Sequence, residues 1–235
     1  MSEQLGKYEG IKPEGLFLLR ENKFRDSKEF YEENKEALQR LAITPLRQLA
    51  AALAEQMTAL DPRMMLESSK MVSRIRRDTR FTKEKYLYRS NLWINFKRRS
   101  DTPPPWPWPY MWFEIRPEED DWSCGVCAYE MSPAYMRFFR ERISADSKPF
   151  FAALEKAQSL GAQVEFDSYK KDKYPDAPEK LKPWLNAKGF FVMHRAPGLA
   201  IVEDDAILAA LREQYAAFAD MYRWLLAAAE DFLKE

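Results

Sequence analysis

The chain has 235 residues, of which 46% are apolar and 31% are charged, and its 37 basic residues balance 37 acidic ones. This composition is typical of a globular protein and excludes the disordered and fibrous classes. The seven glycines form neither of the common phosphate-binding loops, GxGxxG and GxxxxGKS/T. A chain of this length buries roughly 70% of the surface that it exposes when unfolded, so its stability requires no metal and no disulfide.

Helical periodicity begins after an N-terminal arm of residues 1–12. The sequence predicts a short helix over residues 13–22, which opens at Pro13. A second helix is predicted over residues 26–41, with Asp26 and Glu29 as a capping box. A third is predicted over residues 44–60, where apolar side chains recur at spacings of three and four.

From Met64 onward the apolar period changes towards two, which indicates β-structure. In two of the predicted segments apolar residues alternate with polar and aromatic ones, so one face of the sheet is apolar. This alternation predicts an antiparallel sheet that helices cover on one side. The predicted strands are residues 66–75, 92–98, 110–116, 123–130, 163–169 and 190–194.

Two helices are predicted to begin at Ser132 and Ser147, and a long helix or helix pair is predicted over residues 204–233. The last has the cleanest helical period in the chain. Its apolar stripe can pack into the core or form the seam of a homodimer, and both interpretations stay open. The stripe consists of Ile207, Leu211, Tyr215, Phe218, Tyr222, Leu225, Ala229 and Phe232.

The chain shows no internal repeat and no break in composition. The sequence therefore predicts a single α+β domain over residues 13–235, with helical N- and C-terminal segments. Its sheet is expected to have about five or six mainly antiparallel strands with helices packed on one face. The opening residues carry no apolar signal segment, and the longest uncharged apolar run is residues 224–229. We therefore expect a cytoplasmic protein without a membrane partner.

Cys124 and Cys127 have the spacing of a redox motif but fall in a predicted strand, where residues three apart point to opposite faces. A zinc site needs more ligands than these two thiols and the one histidine of the chain supply. The sequence predicts two reduced, mostly buried thiols, no metal site and no cofactor.

Positive charge is concentrated between Lys70 and Arg99, where eleven basic residues face only Asp78 and Glu84. This segment has a net charge of +9 in a chain whose total is zero, so the remaining residues sum to −9. Such a chain either has a polarised surface or pairs the basic segment with its own carboxylates.

The centre of this segment, residues 74–89, resembles the stretch R-x-x-R-D-x-R-F-S/T-x-D/E-K-x-P-Y-K of DUF2461, a family of uncharacterised proteins. The opening L-F-L-L-R-E-N…F-Y-E-E-N-K, the strand from Gly125 to Tyr129 and the late K-Y-P-D-A-P-E-K-L-K-P-W-L are similar to the same family. The chain has Leu87 where the family has Pro, and Arg89 where it has Lys. The resemblance spans roughly residues 14 to 230 and implies a domain of this family, but no activity.

Two interpretations of the basic segment stay open. If a strand reaches Arg76, then Arg74 and Arg76 share one face, and the basic residues of the following loop can converge to bind a phosphate or carboxylate. Alternatively, Asp78 organises a structural hub of ion pairs. The predicted ligand-binding residues are Arg74, Arg77, Arg80, Lys85, Tyr88, Arg89 and Trp112.

Single-stranded nucleic acid is a weaker alternative ligand. Aromatic residues interleave with the basic ones, as in a stacking platform, but the neutral total charge disfavours binding to a phosphate backbone. These aromatic residues are Phe81, Tyr86, Tyr88, Trp93 and Phe96.

Residues 103–109, P-P-P-W-P-W-P, favour a polyproline II conformation between two strands. This loop can serve as a docking ridge for a partner, or it can fold its tryptophans onto its own domain. A non-catalytic interaction module that uses this loop and the C-terminal helix is therefore the alternative to a small-ligand pocket.

Whether the protein is an enzyme stays open at this stage. No nucleophile motif such as GxSxG occurs, and His194 has the setting of a structural histidine on a strand. Glu114, on the polar-aromatic face of its predicted strand with Arg116, is the candidate acid or base.

Overall fold

The computed structural model describes residues 5–80, 83, 85–99 and 107–235. Phe81, Glu84 and most of the proline-tryptophan loop lie outside these residues. The chain divides into two compact units. The first unit comprises residues 1–96, 113–123 and 195–212, and the second comprises residues 97–112, 124–194 and 213–235.

The first unit contains the N-terminal helices. Helix α1 (Pro13–Arg25) is followed by α2 (Lys28–Leu38) and by a π-helical turn (Gln39–Ile43). Helices α3 (Thr44–Ala52) and α4 (Ala54–Leu60) then replace the single helix that the sequence predicts over residues 44–60. Its apolar stripe is buried as expected, and Leu46, Leu49, Leu53 and Met57 are all inaccessible to solvent.

The predicted capping box at Asp26 is wrong. Ser27 caps α2, because its Oγ accepts a hydrogen bond from the Phe30 amide at 3.2 Å. Asp26 instead ends α1 in the left-handed conformation, with φ of 44°. An aspartate adopts this conformation more readily than most residues. Asp26, the C-cap of α1, is therefore followed directly by Ser27, the N-cap of α2.

The predicted strand over residues 66–75 is wrong in its first half. The four-residue helix α5 (Ser68–Met71) occupies its first half, and an extended segment follows. Leu66 is 44% exposed, so the alternation from Met64 to Leu66 does not reflect one buried face.

Five strands form one antiparallel sheet, which confirms the predicted α+β fold class. Along the sheet the strands follow the order β1-β2-β3-β5-β4, and β4 pairs with β5 so that Val164 lies opposite Val192. Burial alternates along β1 as predicted, whereas every residue of β3 is buried. The strands are β1 (Leu92–Lys97), β2 (Tyr110–Arg116), β3 (Asp121–Ala128), β4 (Gln163–Ser168) and β5 (Ala187–Pro197).

The second unit has an aromatic core. It includes helices α6 (Pro133–Ala145), α7 (Lys148–Gln158) and α8 (Lys182–Asn186). The Phe150 ring packs edge-on against Trp184, with centroids 4.6 Å apart, and against Trp224, with centroids 4.8 Å apart. Such edge-to-face contacts stabilise a core beyond the apolar area that they bury.

A 3₁₀ turn (Leu199–Glu203) precedes the long helix α9 (Ala206–Phe232). From Ile207 to Ala229 each residue of its apolar stripe is at most 1% exposed, which confirms the interpretation as core. A homodimer through this helix stays a prediction and would have to use other residues of α9. No helix in the described part of the chain combines the length and the apolar character needed to cross a membrane.

We expect Gly125→Ala to destabilise the protein by about 1–3 kcal/mol, since the added methyl group has no space. It would overlap the Val192 carbonyl oxygen and lie 2.9 Å from the Met193 Cα, and backbone atoms of a paired strand cannot give way. Chemical denaturation measures the effect. Gly6→Ala is the matched control, because its methyl group would meet only the Gln48 side chain at 3.5 Å. Equal stability of the two variants would contradict the prediction.

Candidate functional site

The basic segment contains an extended stretch, residues 72–77, which we call the arginine ribbon. It runs antiparallel to residues 87–94, and the Ser73 amide donates to the Trp93 carbonyl oxygen at 2.9 Å. The Arg77 amide donates to the Leu87 carbonyl oxygen at 2.8 Å. Ile75 is buried, whereas Arg74 and Arg76 are exposed. The two arginines therefore project from one face of the ribbon, as the period of an extended chain requires.

Asp26 fixes the segment that pairs with the ribbon. Its Oδ1 accepts hydrogen bonds from the Leu87 amide at 2.8 Å and from the Tyr88 amide at 3.0 Å. The Tyr88 side chain is 1% exposed and stacks on Tyr31, with ring centroids 4.8 Å apart. Burial raises the pKa of the Tyr88 hydroxyl. Tyr88, which the sequence assigns to the ligand, thus holds the segment against α2 instead.

One side of the ribbon opens into a cavity of about 710 Å³, which we call the turn cavity. Five arginines and one carboxylate contribute to its wall, so its charge is strongly positive. Arg74, Arg77, Arg80 and Arg89 were predicted as ligand-binding residues, and the structure brings all four to this cavity. Its lining residues are Arg74, Arg76, Arg77, Asp78, Thr79, Arg80, Arg89 and Trp93.

Asp78, a carboxylate of the turn cavity, is held by Arg80. The Arg80 guanidinium donates to Asp78 Oδ1 at 2.9 Å and to Oδ2 at 2.6 Å. These hydrogen bonds, with one from the Arg80 amide, lower the pKa of Asp78 to about 2. Within the described residues, neither Arg74 nor Arg76 forms a hydrogen bond or ion pair with a side chain. An ion-pair hub at Asp78 therefore accounts for Arg80 but not for Arg74 and Arg76.

Arg89 lies at the inner side of the turn cavity. Its guanidinium carbon is 4.5 Å from the centre of the Trp93 ring, a cation–π contact. Its Nε is buried and donates to no acceptor in the described part of the chain. Burial, followed by the positive charge of Arg77, lowers the pKa of Arg89. A buried donor in a positive environment is stabilised by an anion.

The ribbon also borders a second cavity, of about 890 Å³, which we call the helical cavity. Arg74 and Arg76 line it as well, so they form a wall common to both cavities. Sequence reasoning missed the contribution of α2, the π-helical turn and α3, because their basic residues have the spacing of an ordinary solvated helix face. The lining residues from these elements are Lys35, Glu36, Leu38, Gln39, Arg40, Ile43, Thr44 and Arg47, with Tyr31.

Lys85 and Trp112 line neither cavity. Lys85 is exposed, and its Nζ donates to the Thr79 carbonyl oxygen at 3.2 Å, which ties the ends of the turn together. Trp112 is 7% exposed on β2 and packs edge-on against Phe191, with ring centroids 5.9 Å apart. Trp112 therefore contributes to the core of the second unit.

Glu114 holds a structural position. Its Oε1 accepts a hydrogen bond from Asn91 Nδ2 at 2.6 Å, and its Oε2 accepts one from Arg116 Nη1 at 3.0 Å. Arg116 also donates to Asp121 Oδ1 at 2.6 Å, and Arg195 donates to Asp121 Oδ2 at 2.6 Å. Because both Glu114 oxygens accept from donors of the protein, the carboxylate is poorly placed to act as a general base.

Cys124 and Cys127 are buried and free, as the sequence predicts. Burial raises the pKa of both thiols, so neither has the thiolate character of a reactive cysteine. Among the described residues, no group of three or more His, Cys, Asp and Glu side chains could hold a metal ion.

We expect Asp26→Ala to destabilise the protein by about 1–3 kcal/mol, because it leaves the Leu87 and Tyr88 amides without their acceptor. Denaturation gives the free energy of unfolding, and hydrogen exchange at the two amides locates the effect. Asp26→Asn keeps an acceptor oxygen and should retain part of the protection. Unchanged exchange at Leu87 and Tyr88 in Asp26→Ala would contradict this role.

The single histidine makes a pH test possible. Burial lowers the pKa of His194 below its usual value, although a hydrogen bond involving the Leu160 backbone opposes the shift. The unfolded chain therefore binds a proton on His194 more readily, and stability falls as pH drops below about 6.5. Between pH 7.5 and 5.5, His194→Gln should flatten the dependence of the unfolding free energy on pH. An equally steep dependence in this variant would refute the assignment.

Comparison with known proteins places the chain in a family. The family described as "Conserved hypothetical protein (DUF2461)" matches residues 15–224. Searches of curated proteins and of solved structures returned no match. The matched residues include the arginine ribbon and all residues that line the two cavities. The chain therefore belongs to the DUF2461 family.

Proposed function

We propose that the protein binds a small ligand bearing a phosphate or carboxylate group in the turn cavity. The observation that carries this proposal is the convergence of five arginines around a wall in which Asp78, the one carboxylate among its described lining residues, is engaged by Arg80. The side chains proposed to contact the anionic group are Arg74, Arg76, Arg77 and Arg89.

The chemistry of these side chains suits such a group. A guanidinium is planar, stays charged and donates two parallel hydrogen bonds that match two oxygens of a phosphate or carboxylate. Arg74 and Arg76 reach the ligand from an exposed wall, whereas Arg89 is held on Trp93 at its inner side. An anion would relieve the mutual repulsion of these cations and satisfy the buried Arg89 Nε.

The aromatic residues of the segment favour a small ligand over single-stranded nucleic acid. Tyr88 and Phe96 are buried, and the Trp93 ring is in contact with Arg89. Among the described aromatic residues of the segment, only Tyr86 is mostly exposed, at 53%, and a single ring does not form a platform for successive bases.

The described end of the proline-tryptophan loop gives little support to an interaction module. Pro107 and Pro109 are buried, and Trp108 is half-buried with the Arg98 guanidinium 4.9 Å from its ring centre. Arg98 in turn pairs with Glu230 at 2.8 Å. Trp108 thus packs on its own unit, as a loop folded back on the protein would require.

We expect Arg76→Ala to weaken the binding of inorganic phosphate by about 10- to 100-fold, the loss of one or two charge-assisted hydrogen bonds. Isothermal titration calorimetry at constant ionic strength measures this affinity, and acetate serves as the carboxylate probe. Arg76 is exposed and pairs through its backbone, so its truncation should leave the fold intact.

Two variants serve as controls. Arg137→Ala removes an exposed arginine of α6 and should bind phosphate like the unaltered protein. Glu114→Gln should lower stability without weakening phosphate binding, because Glu114 contacts Asn91 and Arg116 and its negative charge only opposes an anion near Arg89. The proposal fails if neither phosphate nor acetate binds, or if Arg76→Ala and Arg137→Ala bind them equally.

A further inference from the structure

We propose that the ligand carries at least two phosphate groups, and that the turn cavity and the helical cavity, which share Arg74 and Arg76, each receive one of them. This inference rests on the proposed function, because it extends the same site. It predicts that the ligand is large enough to reach both cavities and carries an anionic group for each. The turn cavity alone predicts only one such group.

The ribbon itself is the first observation. Arg74 and Arg76 line both cavities, and their backbone is fixed by pairing with residues 87–94. Their side chains are exposed and form no side-chain hydrogen bond or ion pair among the described residues. Two guanidinium groups on a common wall can donate hydrogen bonds to acceptors on either side, so one ligand can engage both cavities through them.

The charge of the helical cavity is the second observation. Besides the shared Arg74 and Arg76, the described residues that line it include three basic residues, Lys35, Arg40 and Arg47, and one acid, Glu36. Lys35 pairs with Glu32 at 3.3 Å, but both side chains are more than half exposed and such a pair contributes little. Arg40 forms no ion pair or hydrogen bond with any described side chain. A second excess of positive charge therefore lies beside the first, and one monoanion would balance only part of it.

The backbone of the helical cavity is the third observation. The Thr44 amide donates to the Gln39 carbonyl oxygen, five residues earlier, and this bond defines the π-helical turn. Gln39, Arg40 and Ile43 of this turn contribute to the wall. A π-helical turn is rare and less regular than an α-helix, and it occurs frequently at functional sites.

The remaining lining groups indicate a polar body between the phosphates. Thr44, Ser69 and Ser73 supply hydroxyl groups, and Gln39 supplies an amide. The Tyr31 ring is stacked on Tyr88, so one face of it is already covered. This combination suits a compact hydroxylated molecule or an inorganic oligophosphate better than a chain of stacked bases.

The test compares affinities for matched phosphate probes at constant ionic strength. The probes are inorganic phosphate, fructose 6-phosphate, fructose 1,6-bisphosphate, tripolyphosphate and inositol hexakisphosphate. We expect at least one of the three multiply phosphorylated probes to bind more than tenfold tighter than both monophosphates. Calorimetry measures each affinity, and a twelve-residue oligothymidylate is included as a nucleic-acid probe.

Single-residue variants show which cavity causes the tighter binding of the multiply phosphorylated probe. Arg40→Ala should reduce the preference for the multiply phosphorylated probe at least fivefold, since Arg40 lines only the helical cavity. Arg76→Ala should weaken every phosphate probe, and Arg137→Ala should keep the preference unchanged. Circular dichroism and thermal unfolding confirm that each variant is folded.

The possible results of these binding experiments distinguish failure of this inference from failure of the proposed function. If phosphate binds and none of the three probes binds more than tenfold tighter, or if Arg40→Ala keeps the full preference, this inference is overturned and the proposed function stands. Tighter binding of the oligothymidylate than of all small probes would also overturn it. If no phosphate or carboxylate probe binds at all, the proposed function fails as well.

Discussion

The arrangement of the basic segment depends on one carboxylate, that of Asp26. By accepting hydrogen bonds from two successive amides, it fixes residues 87 and 88 beside the end of α1. These residues return antiparallel to the arginine ribbon, and the Tyr88 ring then stacks on α2. Without this anchor, a loop that carries so many like charges would repel itself into an open conformation. The same interaction therefore defines both the course of the chain and the wall between the two cavities.

Although the net charge of the chain is zero, its positive and negative charges are unevenly distributed. Near the ribbon, Asp78 is held by Arg80, Glu114 by Asn91 and Arg116, and Asp121 by Arg116 and Arg195. Each of these carboxylates accepts from donors of its own and forms no hydrogen bond or ion pair with Arg74 or Arg76 among the described residues. The molecule can thus be neutral as a whole and still present a positive surface at one place.

The sequence predicted the regular part of the fold and part of the site. Strand alternation predicted β1 and β2 closely, because one face of each is in the core. It misplaced the first half of a strand over residues 66–75, where Leu66 is on the surface and the four-residue helix α5 forms. The concentration of arginines in residues 74–89 indicated where the turn cavity lies. The helical cavity depends on long-range packing of α2 and α3 against the ribbon, and no local pattern carries that information.

The π-helical turn between α2 and α3 determines how a change in chain length would act at this point. It accommodates one more residue than an α-helix of the same length, so deleting a single residue from Gln39–Ile43 would join α2 and α3 into one regular helix. The wide turn absorbs the extra residue, so α3 would keep Leu46 and Leu49 in the core, and the change would be confined to the turn, where Gln39, Arg40 and Ile43 line the helical cavity. Deletion of one codon could therefore alter the wall of this cavity while the core of the protein stayed intact.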